Sequence, residues 1–266
     1  MAKGRILIGV GGWTYEPWRG EFYPEGLAQK RELEYAAGKL TSIEINGTYY
    51  GSQKPESFRK WHDETPEGFV FSLKGTRYTT NRRVLAEASE SIQRFLGSGL
   101  LELKDKLGPI NWQMAPTKQF DPRDFEAFLD LLPHSFEGRR LRHAVEVRHP
   151  SFQSPDFVAM MRERGIAIVT AGDAEFPQIA DLTADFAYAR IMGTQDGQKL
   201  GYPPAALTKW VERAKAWAEG KAPKGLETFG THKPDGKPRD VFLYVIGGHK
   251  ARNPAAAMAM IERLGK

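Results

Sequence analysis

Eight short β-rich runs, most of them followed by a stretch patterned as a helix, constrain this chain more than any other feature. The runs are residues 5–12, 41–47, 68–75 and 108–116 in the first half, then 143–149, 165–173, 185–193 and 240–248. Strand followed by helix, repeated, is the signature of parallel βα units. Eight units over 266 residues give about 33 residues each, the usual spacing of a closed barrel. An open doubly wound sheet competes, but the turn after the first run, "GVGGWTYEPW", has glycines without the Gly-x-Gly-x-x-Gly spacing. The expected fold is therefore α/β, a TIM-like (β/α)8 barrel filling residues 1–266 as a single domain. Asp121-Pro122, Ser154-Pro155 and Asn253-Pro254 each set a capping oxygen before a proline suited to a first helical turn. Gly165, Gly220 and Gly265 close helical stretches.

Composition removes whole classes of function. With no cysteine there are no disulfides, thiolate metal sites or cysteine nucleophiles. No apolar stretch approaches the ~20 residues that span a bilayer, and residues 5–12 are too short for a signal peptide, so a cytoplasmic protein without a membrane partner is expected. The 38 basic residues exceed the 33 acidic ones by five, which favours acidic ligands without naming one. Basic clusters at 137–143 and 80–84 allow nucleic acid as a partner, but such runs are more often solvated faces, and a small anionic molecule is the favoured partner.

The two-residue period of a strand decides which side chains enter a barrel. In "HAVEVRHP", residues 143–150, Val145 and Val147 face the helices, so Glu146 and Arg148 point inward near the carboxyl end of the strand. The same alternation turns Glu44 and Asn46 inward, then Ser72 and Lys74, then Tyr188 and Arg190. The fourth run adds Gln113 and the sixth ends in Asp173. Active sites of such barrels sit at this mouth. Buried charges must be paired, so the cluster is expected to neutralise itself, which is compatible with a purely structural ladder. Read as chemistry, Glu146 is the first general acid/base and Asp173 the second, with Glu44 and Lys74 as further catalytic candidates. Arg148 and Arg190 suit a carboxylate or phosphate through paired hydrogen bonds. Asn46, Tyr49, Gln113 and Tyr188 complete the substrate site.

Three further features carry less information. Trp13 and Tyr15 belong to an aromatic stretch, residues 11–24, that either walls the pocket or packs a long loop. Gly247 and Gly248 lead to Asn253 at the start of the last helix, a place where barrels often bind an anion. No His-rich spacing marks a metal site and no cofactor is expected. A divalent ion held by Glu44, Glu146, His149 and Asp173 is the alternative enzyme.

The segments "GVGGWTYEPWRGEFYP", "SIEINGTYYGSQKPESFRKWHDETPEGFVFSLKG", "LGPINWQMAP", "AVEVRHPSF" and "FAYARIMG" make the chain resemble the YecE-like family of TIM-barrel proteins, a domain of unknown function. The resemblance implies the barrel and a pocket at its carboxyl mouth, and it supplies no reaction or catalytic residue. The chain departs from it at Asn81 and Met192, where the family usually has histidine, and in the carboxyl-terminal "YVIGGHKARNPAAAM". The expected function is an enzyme that performs proton transfer or hydrolysis on a small anionic substrate.

Overall fold

The computed structural model describes residues 4–265; the outermost residues of the expected domain, 1–3 and 266, lie outside that range. Eight parallel strands close into a barrel: β1 (Ile6–Gly11), β2 (Ser42–Ile45), β3 (Val70–Lys74), β4 (Leu107–Gln113), β5 (His143–Glu146), β6 (Ala167–Gly172), β7 (Phe186–Ile191) and β8 (Asp240–Val245). Each strand pairs with its neighbours in the chain, and β8 closes on β1, with Ile6 opposite Val241 and Val10 opposite Val245. Seven of the eight strands lie inside the expected runs, and β4 begins one residue before its run, at Leu107; all are shorter than the runs.

Among the described residues seven α-helices of six or more residues stand outside the barrel: α1 (Glu32–Ala37), α2 (Pro55–Asp63), α3 (Ser89–Leu96), α4 (Pro122–Asp130), α5 (Pro155–Glu163), α6 (Pro204–Ala218) and α7 (Asn253–Arg263). Asp121 caps α4 through the amides of Arg123 and Asp124, and Ser154 caps α5 through that of Phe157, as the sequence implies. The third cap differs. Asn253 is already the first residue of α7, and its side-chain oxygen accepts from Thr194 Oγ1 at 2.7 Å instead of from the helix.

Among the described residues no helix lies between β6 and β7. Segment 219–239, after α6, covers that side of the barrel instead. Phe229 and Gly230 donate their amides to Asp181, Ala180 donates to the carbonyl of Glu227, and Leu226 and Phe229 pack on the core. Sequence patterning misses this substitution because the segment is polar and the burial of two apolar residues leaves no period. A small hairpin, Ser135–Phe136 with Arg139–Arg140, was likewise not foreseen.

Inside the barrel the side chains form layers. Leu7, Val70, Ala144, Ala167, Phe186 and Phe242 belong to an apolar cluster that also holds Tyr188 and Tyr244. Their hydroxyls bond to Ser72 and Ser42, each at 2.7 Å. Toward the carboxyl ends of the strands the interior turns ionic. There Gly11 sits opposite Glu44 and Ala171 opposite Arg190, so small residues leave room for the long ones.

Candidate functional site

Arg190, at the end of β7, is the hub of the ionic layer. It is 2% exposed and lies between two fully buried carboxylates, with Nη1 2.6 Å from Glu146 Oε2 and Nη2 3.1 Å from Glu44 Oε1. Asn111 Nδ2 donates to both acids, at 3.3 Å to Glu146 and 3.4 Å to Glu44. Gln113 Nε2 donates to Glu146 at 2.8 Å, and the Tyr188 hydroxyl donates to Glu44 at 2.5 Å. Arg148 approaches Glu146 from the loop after β5, with Nε at 2.9 Å and Nη2 at 2.8 Å from Oε1, while its guanidinium lies 4.2 Å from the centre of the Phe176 ring. Six positions named from the β-rich runs thus meet in one network: Glu44, Gln113, Glu146, Tyr188 and Arg190 on strands and Arg148 on the loop after β5. Asn111 and Phe176 were missed. The first follows the same alternation as Gln113, whereas the second stands in an irregular loop that offers no sequence signal.

Lys74 differs from its neighbours. It is 7% exposed, yet among the described residues its ammonium makes no hydrogen bond and no salt bridge; it rests 4.4 Å from the centre of the Tyr49 ring. Burial first, and Arg190 second, push it down from 10.5 to about 8, against the pull of Glu44 and Glu146. In the ionic layer two carboxylates are matched by two guanidiniums, so Lys74 is a surplus cation. Its backbone is fixed, because Thr48 Oγ1 donates to its carbonyl at 2.7 Å and the Gly75 amide donates to Asn111 O at 2.8 Å.

Glu146 is unsuited to the acid/base role expected of it. Burial pushes its carboxyl up, but Arg190, Arg148 and the Gln113 hydrogen bond outweigh burial and bring it from 4.5 to about 2. Such a group neither gives nor takes a proton near neutrality. It contributes stability instead, fully present above pH 4.5 and lost as pH falls toward 2, on the order of 3 kcal/mol. Urea titrations should therefore show the protein losing stability between about pH 5 and 2, with Glu146→Gln flattening that slope. An equal slope in the variant would show that Glu146 does not supply this pH-dependent stability.

The other expected site residues are dispersed. Asp173 leaves β6 in a left-handed conformation, φ 53°, which turns its carboxylate to Trp210 Nε1 of α6 at 2.7 Å. His149 Nδ1 lies 2.8 Å from Ser151 Oγ, so the four residues proposed for a divalent ion do not converge. Among the described residues no three His, Cys, Asp or Glu side chains are grouped as a metal would need. Trp13 packs edge-on against Trp61 at 5.2 Å and beside Phe71 at 6.3 Å, in the layer between strand and helix. Tyr15 lies under the Lys250 ammonium at 4.1 Å. Asn46 stands beside Gly11 at the strand ends, close enough that an added Cβ there would meet its amide at 2.6 Å, and has no part in the network. Tyr49 reaches Asn81 through its hydroxyl at 3.4 Å.

Of the last loop, Gly247 and Gly248 are exposed, whereas Asn253 is buried and spent on Thr194. Several basic residues also have structural partners. Arg140 pairs with Asp185, Arg142 with Asp240 beneath the Phe242 ring, and Arg139 donates to the carbonyl of Lys104.

Fold and site together define a closed (β/α)-barrel protein whose carboxyl-end interior is a buried ionic network with a surplus lysine. Residues 7–266 match the family described as protein of unknown function DUF72, and the chain belongs to that family. It is 30% identical over 150 residues to UPF0759 protein YecE of Escherichia coli K12, covering 55% of this chain and 50% of that protein. It is 25% identical over 158 residues to UPF0759 protein YunF of Bacillus subtilis, covering 57% and 54%. The chain spans about half the length of the curated relatives it matches. A DUF72 family protein from Thermotoga maritima superposes with a TM-score of 0.72 at 20% identity, over 98% of this chain and 100% of that one, a likeness of fold. Among the described residues no helix is long and apolar enough to cross a membrane.

Proposed function

We propose that this protein is an enzyme that transfers a proton on a small anionic substrate at the carboxyl mouth of the barrel, with Lys74 as the proton carrier and Arg148 as the anion clamp. One observation carries the reading: the ionic network is balanced without Lys74, so the lysine, brought down to about 8, yields its proton just above neutral pH and regains it when an anion restores the balance. Glu44, Glu146 and Arg190 then serve as the fixed electrostatic frame. Arg148 holds Glu146 with Nε and Nη2 and keeps 19% of its side chain exposed, which leaves Nη1 for a ligand oxygen.

Binding of a small carboxylate or phosphate ester should take up a proton at pH 8 to 9, as Lys74 recharges. Calorimetry in two buffers of different ionisation heat reads that proton directly. Arg148→Met should weaken such a ligand by about 1.5 to 3 kcal/mol, the scale of a lost charge-assisted hydrogen bond, while the barrel still melts cooperatively. Unchanged affinity with a large drop in melting temperature would return Arg148 to a structural role.

A further inference from the structure

We infer that Lys74 is also a nucleophile, whose amine condenses with the carbonyl carbon of a small keto acid held through its carboxylate by Arg148, giving an iminium at the barrel mouth. The inference rests on the mouth being an anion site and adds the substrate class and a covalent step.

Three features of the site support it. First, the amine is unclaimed. Glu44 accepts from Arg190, Asn111 and Tyr188, and Glu146 from Arg190, Arg148, Gln113 and Asn111, so both carboxylates are occupied and neither forms a salt bridge with Lys74. Second, burial and the neighbouring Arg190 leave about a tenth of the lysine neutral at pH 7, where an ordinary lysine is almost wholly protonated. Third, the iminium carries the same single positive charge as the ammonium it replaces. The Tyr49 face at 4.4 Å and the two carboxylates that favour the ammonium therefore favour the product too.

The step balances without a metal or an oxidant. The nitrogen lone pair forms the C–N bond while the carbonyl π pair moves to oxygen. A proton passes through solvent from nitrogen to that oxygen, giving a carbinolamine. The hydroxyl then takes up the proton that the ammonium released to solvent before attack, the C–O bond breaks with loss of water, and the nitrogen lone pair closes the C=N bond. Lysine ammonium and ketone become iminium and water, with no change in net charge. The bound carboxylate sits on Arg148, whose place is set by Glu146 Oε1 at 2.8 Å and Phe176 at 4.2 Å.

Trapping tests this. The protein is incubated with pyruvate and cyanoborohydride, and the carboxyethylated lysines are mapped by mass spectrometry against time. Lys74 should be modified at least tenfold faster than the exposed Lys30 and Lys39, the rate should climb as pH rises from 7 to 9, and acetone should label Lys74 far more slowly than pyruvate. Arg148→Met should abolish the advantage of pyruvate over acetone. Labelling of Lys74 no faster than that of Lys30 and Lys39 overturns the inference. If pyruvate then still binds with proton uptake by calorimetry, the anion site stands and only the covalent step fails; if it does not bind, both fail. Equal labelling by acetone and pyruvate overturns the choice of a keto acid.

Discussion

Arg190→Met should cost roughly 3 to 5 kcal/mol of stability at pH 7, measured by urea titration. The size follows from what stays behind. Glu44 and Glu146 are both fully buried, and without the guanidinium they lose the cation that lies 3.1 Å from one and 2.6 Å from the other. Asn111 and Gln113 remain as donors, but neutral amides do not repay the desolvation of two anions. Without Arg190, burial pushes the Glu146 carboxyl up with only Arg148, Gln113 and Lys74 left to oppose it, so the stability that depends on its ionised form is reduced. The deficit should accordingly be greatest at neutral pH and shrink below about pH 5, where the wild-type Glu146 loses its contribution on acidification. A variant with a small loss and no dependence on pH would mean that the network does not hold the barrel together.

Lys74→Met should move stability the other way. The lysine is brought down from 10.5 to about 8, so the unfolded chain binds more protons between those values and the wild type gains stability as pH rises through that window. Below pH 8 the whole penalty is present, on the order of 3 kcal/mol. Methionine keeps most of the apolar stem, removes the surplus charge and stays in reach of the Tyr49 ring. The variant should thus be more stable than the wild type by about 2 to 3 kcal/mol at pH 7, and the two should converge near pH 10.5. A gain in stability on removing a residue is the mark of a group retained for chemistry. A loss would show that Lys74 serves the fold.

Much of this site was legible in the sequence because strands have a strict period. Alternation alone turned Glu44, Glu146, Tyr188 and Arg190 inward, and the structure brings them within hydrogen-bond reach of one another or of shared partners. Parity fails where the strand ends. Asp173 would continue the inward series of β6, but its positive φ rotates the side chain to Trp210, and no residue type announces that turn. Asn253 looks like a helix cap by its place before Pro254, yet Thr194 on the loop after β7 claims its oxygen, a tertiary contact between positions 59 apart.

The distribution of roles was illegible for another reason. Sequence places Glu146 among basic groups but gives no distances, and it is the distances that decide whether a carboxylate is poised or saturated. Four donors on one buried acid fix it as an anion, and that saturation is what leaves the lysine without a partner. The fold shows the same limit. The helix absent after β6 is replaced by segment 219–239, whose contacts through Asp181 come from far along the chain.

Whether Lys74 exchanges a proton in response to an anion is read from the titration of Lys74 itself. With lysine labelled at the ε-carbon by carbon-13 and the signal assigned by its loss in Lys74→Met, nuclear magnetic resonance reads the proton on that one amine. The midpoint should lie near 8, rise when a small carboxylate binds and stay unmoved by that ligand in Arg148→Met. A midpoint near 10.5 that ignores ligand would contradict this, because Lys74 would then be an ordinary solvated lysine and the mouth would hold no group able to exchange a proton at neutral pH.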